Sequence, residues 1–440
     1  MPGTKRPRST GVGADADADR APQELVLPAG TLVLSPDGER WVAARITLHT
    51  AAGTIAAVEV LDEAPDARLA SHFLVPGLID SHVHVTASTA DLAGLTRLPP
   101  SYVAVAAAAE LRASVRRGFT TLRDAGGADC GMARAAAEGV LGDVCPRLLF
   151  AGRALSQTGG HGDFRGAGEG AAFGDGGGEC GCCAGAAGIG RVVDGEAECR
   201  HACRDELRKG AHAIKIMAGG GVASPTDRLQ DLQFSDGEIA AIVDEAARKH
   251  TYVMAHAYTP AAIARCVRLG VRSIEHGNQL DEGAAAAMAA AGAFLSQTNV
   301  TYLALRESGE AAGMPAPLVA KVGALVEQGV AAVALARRHG VRVAYGSDLL
   351  GEMRTRQLEG FGLLLDAGMT PAEALGCATR VGAELTKLPA GKIEAGLLAD
   401  LLLLRVDPLL PDRLRALSEA DVTGVWVGGA RAVTSVLSPA

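Results

Sequence analysis

The sequence predicts a (β/α)8 barrel carrying a small β-sandwich domain formed from both chain ends. Three observations predict it. Short apolar runs alternate with amphipathic helical stretches through the middle of the chain, strand-like segments with turns occupy both ends, and polar residues recur where the apolar runs stop. At 440 residues the chain is long enough for one large domain and a smaller one.

Residues 1–21 read as a disordered tail. Lys5, Arg6 and Arg8 are followed by a Gly/Ala/Asp stretch, Gly11 to Arg20, rather than by the hydrophobic segment of a signal peptide, so a cytoplasmic location is expected. Residues 22–75 form the first part of the small β domain. Its runs Leu25–Leu27, Thr31–Leu34, Trp41–Ala44 and Ile55–Val60 are separated by Pro28, Pro36-Asp37-Gly38 and Ala52-Gly53. Residues 389–440 repeat that texture in Ala399–Leu404 and Val422–Val427, and the two ends can pair into one sheet.

Between them, residues 76–388 make the barrel. Its eight strands are expected at Asp80–Val85, Thr120–Asp124, Leu148–Ala151, Ile214–Met217, Val253–His256, Ser273–His276, Ala293–Gln297 and Val343–Gly346. Amphipathic segments such as Asp236–His250 and Glu327–Gly340 lie between them. An open doubly wound sheet is the alternative, but it would carry a glycine-rich phosphate loop after its first strand, and Pro76-Gly77-Leu78 is not one.

Composition removes several functions. A formal charge of −8 leaves no concentrated basic face for nucleic acid. No apolar stretch is expected to reach the roughly 18–20 residues that span a bilayer, so no membrane partner is expected. Nine cysteines, an odd number in a long chain, argue against a disulfide framework. Cys180, Cys182 and Cys183 cluster in a glycine-rich loop with Cys199 and Cys203 downstream. Only one C-x2-C pair is present, so free thiols are expected rather than zinc.

The polar residues at strand ends are the candidate chemistry. His82 and His84, two apart on an extended segment, point to one side with Cα atoms roughly 6.6 Å apart, a spacing that lets two imidazoles converge on one cation. Lys215 lies inside the apolar run Ala213–Met217. Its amine either snorkels past the strand end or is deprotonated by its setting and able to take up carbon dioxide as an anionic carbamate. His256 and His276 end two further strands, and Asp348 closes the last. Singly, each has a plainer account: a satisfied core histidine, or an aspartate capping the next helix. Jointly, four imidazoles and two anionic groups at the catalytic face of a barrel suffice for two divalent ions.

With these residues in place, the sequence resembles the amidohydrolase superfamily, in its binuclear branch with a carboxylated lysine. The resemblance spans nearly the whole chain, from Val75-Pro76-Gly77-Leu78-Ile79-Asp80-Ser81-His82-Val83-His84 to Gly391-Lys392-Ile393-Glu394-Ala395-Gly396 and Leu397-Leu398-Ala399-Asp400-Leu401. Ser156-Gln157-Thr158-Gly159-Gly160-His161-Gly162-Asp163-Phe164, Ile214–Asp227 and His256-Ala257-Tyr258-Thr259 are similar to the imidazolonepropionase-like dipeptidases, including Xaa-Pro and Xaa-Arg/Lys dipeptidases and ochratoxin-cleaving amidases. One departure stands out. Relatives usually show a Pro-Thr pair at the seventh strand, where this chain has Ser296-Gln297-Thr298-Asn299, a region able to face the substrate pocket.

The resemblance implies that His82, His84 and Asp348 hold one metal and His256 and His276 the other, with carboxylated Lys215 bridging and zinc the foremost of the divalent ions. It implies cleavage of an amide bond in a dipeptide or N-acyl amino acid by a metal-bridged hydroxide, with Asp348 carrying the proton from the water to the departing amine. His161 and Tyr258 are candidate donors to the oxyanion, and Arg165 and Arg228 candidate partners for a substrate carboxylate. A cyclic amide, lactone or phosphotriester could use the same site. A mononuclear deaminase would carry H-x-x-E, but Thr259 stands three residues after His256. A lapsed scaffold would have lost ligands, and none of the six is missing. Relatives are often oligomers, so a homo-oligomer is possible.

Overall fold

The computed structural model describes residues 21–63, 65–142, 145–166 and 188–434. The expected tail, Cys180, Cys182, Cys183 and most of the glycine-rich loop lie outside the described residues.

Five strands open the chain: β1 (Gln23–Glu24), β2 (Thr31–Leu34), β3 (Trp41–His49), β4 (Thr54–Asp62) and β5 (His72–Pro76). Next come β6 (Leu78–Val83), β7 (Phe119–Asp124), β8 (Arg147–Phe150), β9 (Ala154–Ser156) and β10 (Gly190–Val192). The barrel continues with β11 (Ile214–Met217), β12 (Val253–Ala257), β13 (Ser273–His276), β14 (Phe294–Gln297) and β15 (Arg342–Tyr345). The chain ends on β16 (Leu401–Leu404), β17 (Val422–Val427) and β18 (Ala430–Thr434).

The two ends do share a sheet, in the order β1-β3-β2-β5-β16-β17-β18 with β4 on β3. The seam is the antiparallel pair β5–β16, where Phe73 faces Leu404 and Pro76 faces Leu401. Alternate residues of these strands, among them Val33, Ile46, Leu74, Leu401, Leu403 and Trp426, turn inward to one core. The first strand falls at Gln23–Glu24 rather than Leu25–Leu27, and the final strand β18 carries no strong apolar run to reveal it.

All eight expected barrel strands are present, as β6, β7, β8 and β11–β15, and they pair in parallel. The His212 amide donates to the Phe150 carbonyl (2.8 Å), carrying the sheet from β8 toward β11, and the Asp348 amide donates to the His82 carbonyl (2.8 Å), joining the last strand to the first. The short strands β9 and β10, which pair with each other and extend the sheet beside β11, were not expected from the sequence. Both are three residues long, too short to show a period. The helix Asp236–Arg248 starts on a Ser235/Glu238 capping box and ends before His250, whose φ of 57° cannot continue it.

One expectation fails on composition. Residues Ala316–Arg338 reach a mean hydropathy of 1.6 over a length sufficient to cross a membrane. The stretch is broken at Gly323 (φ 44°), and its second half, Leu325–Arg338, buries Leu325, Val326, Ala332 and Val333 within the protein. Its apolarity reflects packing against the barrel. Cys199 and Cys203 are buried on the helix Glu196–Arg208, where burial pushes both thiols up to about 12.

Candidate active site

The C-terminal ends of the barrel strands deliver the candidate ligands to one place. His82 lies near the end of β6 with His84 just past it, Lys215 is the second residue of β11, His256 and His276 lie at the ends of β12 and β13, and Asp348 follows β15 by three residues. Ring centroids are 5.4 Å apart for His82–His84, 4.8 Å for His82–His276 and 4.6 Å for His256–His276. The Asp348 carboxylate lies 3.7 Å from His82 Nε2, 3.5 Å from His84 Nε2 and 3.9 Å from His276 Nδ1. Ligand atoms of His82, His276 and Asp348 all fall within 4.8 Å of one another.

Each histidine spends one ring nitrogen on the protein. His82 Nδ1 meets Glu275 Oε2 (2.6 Å), His84 Nδ1 the Gly126 carbonyl (2.8 Å), His256 Nε2 the Gly220 carbonyl (3.0 Å) and His276 Nδ1 the Thr298 hydroxyl (2.7 Å). That fixes which nitrogen remains free, the usual arrangement behind a metal-bound imidazole. His82 Nε2 is fully buried and has no hydrogen-bond partner among the described residues. An orphaned acceptor of this kind is costly unless something else satisfies it. The donor set therefore fits divalent cations: neutral imidazoles, a carboxylate and a lysine.

Burial drives the electrostatics. It pushes His84 down to about 4 and His82, His256 and His276 well below the ordinary histidine value, with Lys215 adding repulsion at each. The imidazoles are thus neutral and ready to ligate. Lys215 is 1% exposed; burial lowers it to about 8, against the attraction of Glu275 and Asp348. Asp348 is raised to about 7 by burial, opposed by Lys215, and a bound cation would favour its anion. His276 (φ 74°) and Asp348 (φ 51°) both hold left-handed backbone conformations, which places local strain at the site itself.

Supporting residues were missed in the sequence. Glu275, wholly buried, accepts from His82 and from Arg123 Nη2 (2.9 Å to each oxygen) and from the Ser273 hydroxyl. Asp80 accepts from the amides of His82 (3.1 Å) and Ser347 (3.0 Å) and from Gln357 (2.8 Å). Asp124 accepts from the amides of Val85, Gly126 and Ala128. The available signal was a charged residue inside an apolar strand, which Arg123 and Glu275 both are.

The ligand candidates other than His82 line a cavity of about 520 Å3, its open mouth included, together with His161, Tyr258 and Tyr302. That size suits a small ligand. Leu92, Phe164, Ile189, Val222, Leu305 and Met314 supply its apolar wall. Neither Arg165 nor Arg228 lines it. Arg165 forms a two-point pair with Asp163 (2.7 and 2.6 Å), and Arg228 is exposed. Ser296–Asn299 does not line it either; the Thr298 hydroxyl instead orients His276 from behind. Asp348 caps no helix, since the next helical turn begins at Gly351 after Leu350.

A parallel barrel with histidines gathered at the C-terminal ends of its strands, beside a flanking sheet, has its candidate chemistry on the catalytic face of such barrels. The model of the amidohydrolase family matches residues 73–432, and the chain belongs to that family. Ochratoxinase of Aspergillus niger is 34% identical over 372 residues, covering 81% of this chain and 75% of its own. Among solved structures, a prolidase complexed with N-methylphosphonate-L-proline is 42% identical, with a TM-score of 0.84 over 91% of this chain and 98% of that one. The structure of A. niger ochratoxinase aligns at 28% identity and TM-score 0.78 over 96% and 98%.

Proposed function

We propose that this amidohydrolase cleaves the amide bond of a dipeptide or N-acyl amino acid at a centre holding two divalent ions, zinc foremost. His82, His84 and Asp348 would hold one ion, His256 and His276 the other, and Lys215, carboxylated, would serve both. When bound, such ions lower the pKa of water and polarise a carbonyl. The observation that supports the reading is that His84, Lys215, His256, His276 and Asp348 line one cavity and His82 clusters with His276 and Asp348, its buried Nε2 unpaired among the described residues.

The chain's own groups supply the rest. Asp348, partly exposed to the cavity, takes a proton from the attacking water and returns it to the departing amine. Tyr302 donates its hydroxyl proton to the Tyr258 oxygen (2.8 Å), which leaves the Tyr258 proton to stabilise the developing oxyanion. The apolar wall excludes water and favours a substrate with an apolar side chain or acyl group next to the scissile bond. Among the described residues the cavity lining includes no arginine, which supports recognition of a substrate carboxylate by other groups.

The similarities to a prolidase and to ochratoxinase support amide hydrolysis over the other reactions open to such a centre. Assaying the metal-loaded chain against a panel of dipeptides and N-acyl amino acids tests the proposal. Turnover of members with apolar residues is expected. No turnover across the panel, with hydrolysis of a lactone or phosphotriester instead, would overturn it.

A further inference from the structure

Lys321 places a charge inside one loop of the cavity wall, and the chemistry above leaves that charge unused. Residues 219–232 leave the barrel mouth after β11 and turn back on themselves. The neck is closed by the bridge between Gly219 and Leu232 and by the Gly220 amide, which donates to the Asp231 carbonyl (3.0 Å). A Cβ on Gly220 would lie 1.8 Å from the Arg228 carbonyl oxygen, so the returning chain passes only because that position is glycine. Val222 and Ala223 of this loop line the cavity.

Inside the loop the carbonyls of Gly221, Ser224 and Asp227 converge. Lys321 Nζ stands among them at 3.1, 2.7 and 2.8 Å, with Asp227 Oδ1 at 3.4 Å. An ammonium has three protons, and the three carbonyls take all of them. The Asp227 carboxylate, 5% exposed, also accepts from the Ser224 hydroxyl, the Gly221 amide (3.0 Å) and Gln233 Nε2 (3.0 Å). Three carbonyl dipoles and a carboxylate aimed at one spot repel one another unless a cation stands there. Rings of main-chain carbonyls replace the hydration shell of monovalent cations in the same way. Lys321 itself comes from the turn Ala320–Val322, in the segment that follows β14 and the helix Asn299–Ser308. Met314 of that segment is also in the cavity wall, so the ammonium ties together two parts of the wall.

We propose that residues 221–227 form a monovalent-cation cage whose cation is the tethered ammonium of Lys321, which makes Lys321 a positioning residue for the wall at Val222 and Ala223. Once the side chain is cut back, the cage takes a free cation of ammonium size instead. Ethylammonium and potassium fit; sodium is too small to touch all three carbonyls, and tetramethylammonium is too large and has no proton to give. The effect on substrate binding rests on the amide hydrolysis proposed above, whereas the cage does not.

Trypsin reads the cage in the full zinc-loaded chain without any substrate. Arg228 is exposed on the loop, and cleavage after it requires the loop to open. In sodium chloride, Lys321→Ala should be cut there about tenfold faster than wild type or more. Ethylammonium or potassium chloride at the same ionic strength should return it toward the wild-type rate, and tetramethylammonium chloride should not. Lys321→Met, which keeps the length without the charge, should be cut as fast and gain no protection from any of these salts. Lys321→Ala cut equally fast in all four salts, or Lys321→Met cut at the wild-type rate, overturns the cage. On a substrate from the panel, with zinc in excess, Lys321→Ala should raise KM about tenfold with kcat within about threefold, the pattern of lost ground-state binding, and ethylammonium should reverse the change. A fall in kcat with KM unchanged would overturn the role in positioning the wall. The proteolysis needs no turnover, so failure of the substrate panel and failure of the cage are separate results.

Discussion

Replacing Glu275 by glutamine perturbs the site from behind without touching its mouth. The carboxylate holds His82 Nδ1 at 2.6 Å and faces the Arg123 guanidinium, which is 1% exposed. Glu275→Gln removes the charge and leaves Arg123 buried beside a neutral amide. Breaking a buried pair in this way costs about 3–5 kcal/mol. The amide must also choose between Arg123 and His82 for its one oxygen, so the hydrogen bond that leaves His82 Nε2 free is weakened. Loss of such a partner lowers metal affinity roughly 10–100-fold. Competition against a chelator of known affinity measures the second effect, and the denaturant midpoint of the metal-free chain measures the first. A double variant separates them: Arg123→Leu with Glu275→Leu should recover much of the stability, since apolar replacement of a buried pair is often neutral. Its metal affinity should stay low, because His82 still lacks its acceptor. A Glu275→Gln chain that binds metal within about twofold of wild type would refute the assigned role of this carboxylate.

Further outcomes follow from the same geometry. Lys215→Ala should lose the second ion and nearly all turnover; retention of both ions and full activity would rule out the carbamate. Carbamate formation needs the neutral amine, and with Lys215 lowered to about 8 that form is scarce at pH 6 and abundant at pH 8 and above. Reactivation of the metal-stripped chain by bicarbonate and zinc should therefore quicken as pH rises through that range, and a flat profile would contradict it. Tyr258→Phe should lower kcat about 100-fold with little change in KM, the loss expected for one oxyanion donor; a KM effect alone would make Tyr258 a binding group. Arg228→Ala should leave kcat/KM within about twofold, since the side chain is exposed and outside the cavity; a large rise in KM would restore it as a substrate contact.

The barrel was legible because its strands are apolar runs between amphipathic helices, and each ended where expected to within a few residues. His82, His84, Lys215, His256, His276 and Asp348 were legible for a related reason: a polar group at the end of an apolar strand has to be explained. What escaped depended on distant partners. Arg123 and Glu275 are 152 residues apart, and neither shows its partner locally. The surroundings of His161 join two distant segments, the loop from Gly221 to Gln233 and Lys321. The positive φ angles of His276 and Asp348 are set by strand-end geometry rather than by residue type. Arg165 shows a partner that the sequence expectation did not weigh. A loop arginine looked available from sequence, whereas Asp163, two residues before it, already holds its guanidinium.

Metal content tests the central claim most directly. Elemental analysis of the full chain, purified without chelator and again after zinc is supplied with bicarbonate, should give two divalent ions per chain and activity that rises with their number. A chain that holds no zinc, manganese or iron, and gains neither metal nor activity when they are added, would contradict the account.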